Sequence, residues 1–118
     1  MEENERRFII HRNKWIWGKT WIIVCEDGVG LIKISQDQED GVVLSGLSVL
    51  SDHRGKGIGT SLVREAERIV KEEISVNEDI TLSVESKCKE LIGWYSWLGY
   101  SAYDYDSNYT EMIKCARG

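Results

Sequence analysis

Proline is missing from this chain of 118 residues, and so are long apolar runs. The lack of proline excludes rigid proline-rich linkers, and the apolar runs fall far short of the roughly 20 residues that a membrane-spanning helix needs. Although Phe occurs once, five Trp and five Tyr contribute to a hydrophobic content of 42%, which is enough to build a core. We expect one domain over residues 1–118, with a charged, frayed head over 1–7.

Positive charge is also scarce, because 15 Lys and Arg face 20 Asp and Glu for a net charge of -5. Such a chain has no general electrostatic attraction to nucleic acid or to an anionic membrane. We therefore expect neither as a partner. An anionic ligand would need a local binding site of its own.

The few cysteines are Cys25, Cys88 and Cys115, an odd number whose spacing does not match a zinc site. No apolar leader precedes them. We expect reduced thiols, no bound metal and a cytoplasmic location.

The apolar pattern predicts a mixed α/β fold. Strands are predicted over 8–11, on both sides of an Asp27-Gly28 turn, over 42–50 with a bulge at Gly46, over 80–85, and on both sides of a turn at 106–108. One amphipathic helix follows a glycine-rich turn and reaches Ile74, and a second runs from Leu91 to a cap at Gly99. Because a strand, a helix and a returning parallel strand form a right-handed unit, we expect a mixed sheet with helices packed against it.

The glycine-rich turn reads DHRGKGIGTSL over residues 52–62. The first N-H groups of a helix have no internal acceptor, and the helix dipole adds partial positive charge there. Glycines let an anion approach these groups, and Arg54 and Lys56 add full charges. The dinucleotide fingerprint would need glycine where Thr60 stands, and the phosphate loop before Lys19 would need glycine where Asn13 stands. The pattern R-x-x-G-x-G remains.

This turn and a later helix resemble the GNAT N-acetyltransferases, a family that binds acetyl-coenzyme A. The first motif reads Val49, Arg54, Gly55, Gly57, Ile58, Gly59 and Leu62, and the second reads Leu91, Trp94, Tyr95, Gly99 and Tyr100. The resemblance covers about residues 42–115. It implies an α/β (α+β) fold with a mostly antiparallel sheet, a central splayed parallel strand pair and helices packed on it, and it implies acetyl-CoA as the cosubstrate.

By this resemblance, one strand would bind the pantetheine arm through its main chain, and the glycine turn would bind the pyrophosphate. The residues implied in cofactor binding are Leu47, Ser48, Val49, Arg54, Gly55, Lys56, Gly57, Ile58, Gly59, Thr60 and Cys88. Cys88 stands where the family usually has Asn. The backbone N-H of Val49 is the implied donor to the thioester carbonyl.

The implied reaction is direct attack of an amine on the thioester, with Tyr95 as the general acid that protonates the departing thiolate. Many relatives have a basic Glu on the strand before the glycine turn, but residues 42–50 contain no acidic residue. Glu85 is our candidate for the base by its position, and Asp40 and His53 remain alternatives.

Relatives insert two helices after the first strand that roof the acceptor site, and here only a short segment stands between Arg12 and Thr20. We therefore expect an open acceptor groove, unless a second subunit of a homodimer covers it. The acidic chain suits a cationic acceptor, such as a protein lysine, an N-terminus or a small amine. The alternative is a degenerate module that binds coenzyme A or another partner without catalysis.

Overall fold

The computed structural model describes residues 6–116 and arranges seven strands in one sheet, in the order β1-β2-β3-β4-β5-β7-β6. The strands are β1 (Phe8–Trp15), β2 (Gly18–Cys25), β3 (Gly30–Asp37), β4 (Gly41–Val49), β5 (Ile80–Glu85), β6 (Ser101–Tyr105) and β7 (Tyr109–Lys114), and the helices are α1 (Ile58–Ile69) and α2 (Lys89–Trp97). Neighbouring strands are antiparallel except β4 and β5, which are parallel. The predicted fold class is confirmed.

The start of the chain differs from the expectation in one respect. Strand β1 continues beyond residue 11 to Trp15, because every residue from Phe8 onward pairs with β2, and the last pair is Trp15 with Gly18. A two-residue turn then connects the strands, so pairing with a neighbour overrides the weak strand preference of the polar residues. Of the predicted frayed head, residues 1–5 lie outside the described residues, and the carbonyl of Arg7 accepts a 3.0 Å hydrogen bond from the Glu26 N-H.

The two faces of the sheet differ in composition. Directly paired residues share a face, and one face, here called the covered face, carries fully or nearly fully buried side chains on five strands: Trp21, Ile23, Ile32, Ile34, Leu44, Leu82 and Met112. Helix α1 packs on it over β2, β3 and β4. On the opposite, uncovered face, Ile9, Ile22 and Leu31 remain 38–45% exposed.

Both helices form where the periodicity predicts them. Helix α1 buries Leu62, Val63 and Ala66 on one side, and a wider helical turn over Val70–Ile74 follows it, closed by a hydrogen bond from the Ser75 N-H to the Val70 carbonyl at 2.9 Å. Helix α2 ends at Gly99, whose φ is +107°, and the Tyr100 N-H donates back to the Tyr95 carbonyl at 3.0 Å. The predicted glycine cap is therefore confirmed. Within residues 6–116, no helix is long and apolar enough to cross a membrane.

The central parallel pair opens into a gap. Strands β4 and β5 pair only at Val42 with Ile80 and at Val43 with Thr81, and then diverge up to Val49 and Glu85. Opposite the gap, Leu31 pairs with Ser48 while Lys33 pairs with Ser45, so β4 has one extra residue at this point. Gly46 has a φ of +66° here, which glycine adopts without strain. The predicted bulge and splay are both present, and the bulge lies where the strands separate.

Candidate active site

A groove of about 550 Å³ opens between the end of β4, the glycine turn and α2. Its lining residues are Leu47, Ser48, Val49, His53, Arg54, Gly55, Gly57, Ile58, Gly59, Thr60, Leu91 and Trp94. All of the predicted cofactor-binding residues line this groove except Lys56, which is exposed on the turn, and Cys88, which precedes α2. Residues of the segment 47–60 therefore meet Leu91 and Trp94, which are far from them in the chain, at one site.

The glycine turn presents free backbone donors to the groove. Gly55 and Gly57 have φ values of +79° and +80°, and a Cβ at either position would meet nothing within 4 Å. Conformation, and not crowding, therefore requires glycine at these positions. The first N-H bonded within α1 is that of Ser61, which donates to the Gly57 carbonyl at 3.0 Å, so the N-H groups of residues 58–60 have no helical acceptor. They form a site that fits a phosphate group.

Gly59 differs from Gly55 and Gly57, because a side chain here would meet a neighbouring residue. A Cβ at this position would lie 3.4 Å from the ring of Trp94, which lines the other wall of the groove. Glycine therefore lets α1 and α2 approach each other at the groove without filling it.

The arginine of the turn bends back over β4. Its Nε donates to the Val49 carbonyl at 3.1 Å, which holds the guanidinium at the groove. No ion pair described within residues 6–116 involves Arg54 or Lys56. Both charges are therefore available to an anionic ligand.

The backbone of Val49 faces the gap between β4 and β5. The Leu50 N-H donates to the Val29 carbonyl at 2.9 Å, which makes Gly30 and Val49 a pair without direct hydrogen bonds between them. The N-H and carbonyl of Val49 therefore point away from β3. The Val49 carbonyl accepts the hydrogen bond from Arg54 Nε, and the Val49 N-H is directed into the gap.

Tyr95 of α2 is 6% exposed and is not one of the residues that line the groove. Its ring makes edge contacts with Trp94 at a centroid distance of 4.9 Å and with Tyr100 at 5.8 Å. Burial raises the pKa of Tyr95, so its hydroxyl stays protonated at neutral pH. Its neighbour Trp94, which contacts the Tyr95 ring, does line the groove.

A buried carboxylate holds the end of α2 in place. Glu67 of α1 is 7% exposed, and it accepts hydrogen bonds from the Tyr100 hydroxyl at 2.9 Å, from Lys114 Nζ at 3.1 Å and from Arg64 at 2.9 Å. Lys114 also donates to the Leu98 carbonyl at 3.1 Å. Burial and the Glu67 charge raise the pKa of Tyr100. Sequence analysis did not find this network, because Glu67 resembles any other charged residue of an amphipathic helix.

The candidate bases lie apart from one another. Glu85 is exposed at the end of β5, outside the groove lining, with its Oε1 4.0 Å from Cys88 Sγ. Asp40 is in the turn before β4, one strand length or about 25–30 Å from Val49, so it is too distant for the base role. His53 lines the groove.

The uncovered face carries two more carboxylates close to Glu85. Glu111 accepts a 2.8 Å hydrogen bond from Ser83 Oγ, and it lies directly opposite Asp104 on β6. Sequence analysis missed both residues. Alternation along β7 predicts that Glu111 and its buried neighbour Met112 lie on different faces of the sheet. The pairing of β5, β7 and β6, which brings the carboxylates together, is a tertiary contact.

A glycine turn at a helix start lies here beside a bulged and splayed parallel strand, which is the arrangement that the resemblance to the GNAT acetyltransferases implies. The family model of the acetyltransferase (GNAT) family matches residues 2–100. The chain therefore belongs to the GNAT family, and it is an acyltransferase. The predicted family is confirmed.

Solved structures show the same fold. The GNAT-family acetyltransferase from Staphylococcus aureus Mu50 superposes with a TM-score of 0.67 at 17% identity, over 84% of this chain and 68% of that one. The PaiA N-acetyltransferase from Thermoplasma acidophilum, solved with coenzyme A, gives 0.68 at 22% identity, over 81% of this chain and 59% of that one. The NatC complex bound to Gag peptide and CoA gives 0.66 at 21% identity, over 81% of this chain and 70% of that one. A search of curated proteins finds no match.

Proposed function

We propose that this protein transfers an acetyl group from acetyl-CoA to a primary amine. The observation that carries the proposal is the single groove in which the free N-H groups at the start of α1 meet the Val49 N-H at the gap. Two structures with this fold, the PaiA enzyme and the NatC complex, contain coenzyme A. Acetyl-CoA supplies the activated acetyl group.

The groove fits the two ends of such a donor. The glycine turn binds the pyrophosphate through the N-H groups of residues 58–60, and Arg54 and Lys56 supply charge. The N-H of Val49 donates to the thioester oxygen, where negative charge develops as the amine attacks. At the end of β4, half-buried Leu47 and exposed Ser48 bind the pantetheine arm between these two sites.

Tyr95 is the proposed general acid. As the C-N bond forms and the C-S bond breaks, the sulfur becomes a thiolate, and the Tyr95 hydroxyl gives it a proton. Burial of Tyr95, which raises its pKa, keeps that proton available. The edge contacts with Trp94 and Tyr100 hold the ring in one orientation.

The acceptor enters from the uncovered face. The carboxylates of Glu85, Glu111 and Asp104 on this face attract a cationic amine such as a lysine side chain or a peptide N-terminus. Glu85 takes the proton that the amine loses, directly or through water. Glu111 is the second candidate for this role because it lies on the same face and one strand away.

Release of free thiol from acetyl-CoA, measured with a panel of small amines and peptides, tests the proposal. We expect amine-dependent release, and we expect Tyr95→Phe to lower kcat by roughly 10²–10⁴-fold with little change in the KM for acetyl-CoA. Tyr103→Phe is the matched control, because Tyr103 is 56% exposed and lies outside the groove. An unchanged rate in Tyr95→Phe would remove Tyr95 from the mechanism.

The same assay assigns the base. Glu85→Gln should lower kcat by at least about 100-fold and Glu111→Gln by less than about tenfold, and the reverse order would transfer the role to Glu111. The absence of acidic residues in β4 favours a second candidate function, a module that binds coenzyme A without catalysis. That function predicts thermal stabilisation by coenzyme A, none by phosphate, and no thiol release with any acceptor.

A further inference from the structure

The turn between β1 and β2 exposes three consecutive large apolar side chains. Trp15 is 42% exposed, Ile16 is 86% exposed and Trp17 is 71% exposed. Monomeric proteins rarely expose large apolar side chains side by side, and a contiguous patch of this kind marks an interaction site. Trp is also the residue type most enriched among those that dominate binding energy at interfaces. We call residues 15–17 the aromatic tip.

The strands that carry the aromatic tip are positively charged. Residues 8–25 contain no Asp or Glu, although the chain as a whole has a net charge of -5. Lys14 and Lys19 lie directly opposite each other, and two like charges in that position destabilise a strand pair. Neither lysine takes part in the ion pairs described within residues 6–116. Glu73 lines the same pocket as both lysines but is paired with Arg12, so a further carboxylate from outside would relieve this repulsion.

An acidic turn lies beside the aromatic tip. Asp37 pairs with Gly18 on one side and with Gly41 on the other, so the turn over residues 38–40 is at the same end of the sheet. Asp37 Oδ1 accepts the backbone N-H groups of Glu39 and Asp40, at 2.9 and 2.6 Å. This fixes the shape of the turn and leaves the side chains of Glu39 and Asp40 exposed. The two turns are about two strand spacings apart, or roughly 10 Å.

We propose that the aromatic tip and the acidic turn together form a homodimer interface. A two-fold axis that passes between the two turns places the aromatic tip of one protomer, with Lys14 and Lys19 beside it, against the acidic turn of the other, twice. The apolar side chains of residues 15–17 then meet near the axis, where water is excluded. The surface is therefore complementary to itself in both charge and apolar character.

The same charges argue against the other partners that an exposed tip of Trp and Lys would fit. An anionic membrane or a nucleic acid would be attracted by Lys14 and Lys19, but it would be repelled by Glu39 and Asp40 at the same end of the sheet. A second copy of this chain brings both signs of charge and satisfies both.

The proposed interface leaves the groove free. The aromatic tip is at the end of the sheet where β4 begins, whereas the glycine turn follows the end of β4. These two sites are about a strand length apart. Dimerisation and acetyl transfer can therefore be tested separately.

Sedimentation velocity of the full chain over a range of protein concentrations tests the interface. We expect a dimer that Trp17→Ala weakens at least roughly tenfold in Kd, as is typical of a central interface Trp. Trp97→Ala is the matched control, because Trp97 is equally exposed, at 72%, and lies on α2. Circular dichroism should show all variants folded.

A charge reversal makes the test independent of the Trp17 substitution. The double variant Lys14→Glu with Lys19→Glu and the double variant Glu39→Lys with Asp40→Lys should each dimerise weakly, and an equimolar mixture of the two should recover association. A wild-type protein that stays monomeric at about 100 µM would overturn the proposal. So would a dimer that neither Trp17→Ala nor the charge reversals affect, or binding of the monomer to phosphatidylserine vesicles through Trp17.

Discussion

The covered and uncovered faces of the sheet are formed by the same strands but differ in how deeply their side chains are buried. On β2, Ile23 is fully buried on the covered face, whereas its neighbour Ile22 is 39% exposed on the other. The covered face has apolar side chains packed under the helices, and the uncovered face near the gap has serines and carboxylates. Stability is therefore expected to depend on the covered face, whereas the ionisable side chains near the gap lie on the uncovered one. The gap between β4 and β5 is an opening in the sheet between the two faces.

The largest expected difference between the faces comes from adjacent isoleucines. Ile23→Ala should lower the free energy of unfolding by about 2–5 kcal/mol, because it leaves a cavity in the core. Ile22→Ala removes the same atoms from a partly exposed site and should cost less than about 1 kcal/mol. Urea denaturation of both variants measures the two values. Equal losses would show that the uncovered face is buried in solution.

The buried carboxylate of Glu67, on the helix that packs on the covered face, should give the next largest effect. Glu67→Ala leaves the Tyr100 hydroxyl without its acceptor and Lys114 without its carboxylate partner, so we expect a loss of about 3 kcal/mol in urea denaturation. Tyr100→Phe with Glu67→Ala should recover part of that loss, since the unpaired hydroxyl is gone. A double variant no better than Glu67→Ala would contradict this account.

A third, smaller effect is expected where β1 and β2 are hydrogen-bonded to the helical turn over Val70–Ile74 that follows α1. Glu73 accepts Arg12 Nε at 2.8 Å and Trp21 Nε1 at 3.0 Å, and these hydrogen bonds lower the pKa of Glu73 to about 2. Glu73→Gln should cost about 1–2 kcal/mol at pH 7. Glu72→Gln, on an exposed pair with Arg68, is the control and should cost less than about 0.5 kcal/mol.

The Glu73 contribution has a defined pH window. Its pKa in the folded protein is about 2, below the ordinary value of about 4.3 in the unfolded chain. The stabilisation is therefore complete above about pH 4.3 and is lost as the pH falls toward 2. The difference between wild type and Glu73→Gln in thermal unfolding should shrink over this range, and a constant difference would contradict the assignment.

The smallest effect is expected on the uncovered face. Glu111→Gln should change the free energy of unfolding by less than about 0.5 kcal/mol. The hydrogen bond to Ser83 is exposed, and Asp104, which lies directly across the strand pair, carries a like charge that disfavours a second carboxylate there. Thermal unfolding at pH 7 measures it. A large loss would assign Glu111 a structural task and remove it from the acceptor face.

Local patterns in the sequence predicted most of the fold. Helix α1, strand β5 and the Gly99 cap depend on nearby residues, whose spacing and backbone preferences are visible in the chain. Strand β1 was predicted too short, because the pairing that extends it to Trp15 comes from β2. Glu67 and Glu111 were missed because their partners lie 33 and 28 positions away.

The sequence alone predicted the glycine turn, since glycine is the residue that most readily adopts a positive φ, and with the turn it predicted the GNAT family. The tertiary structure sets the direction of the Val49 N-H, because hydrogen-bond alternation depends on the register with β3. It also decided which carboxylates share the uncovered face and which turn lies beside Trp17. Those relations join residues far apart in the chain, and no local preference encodes them.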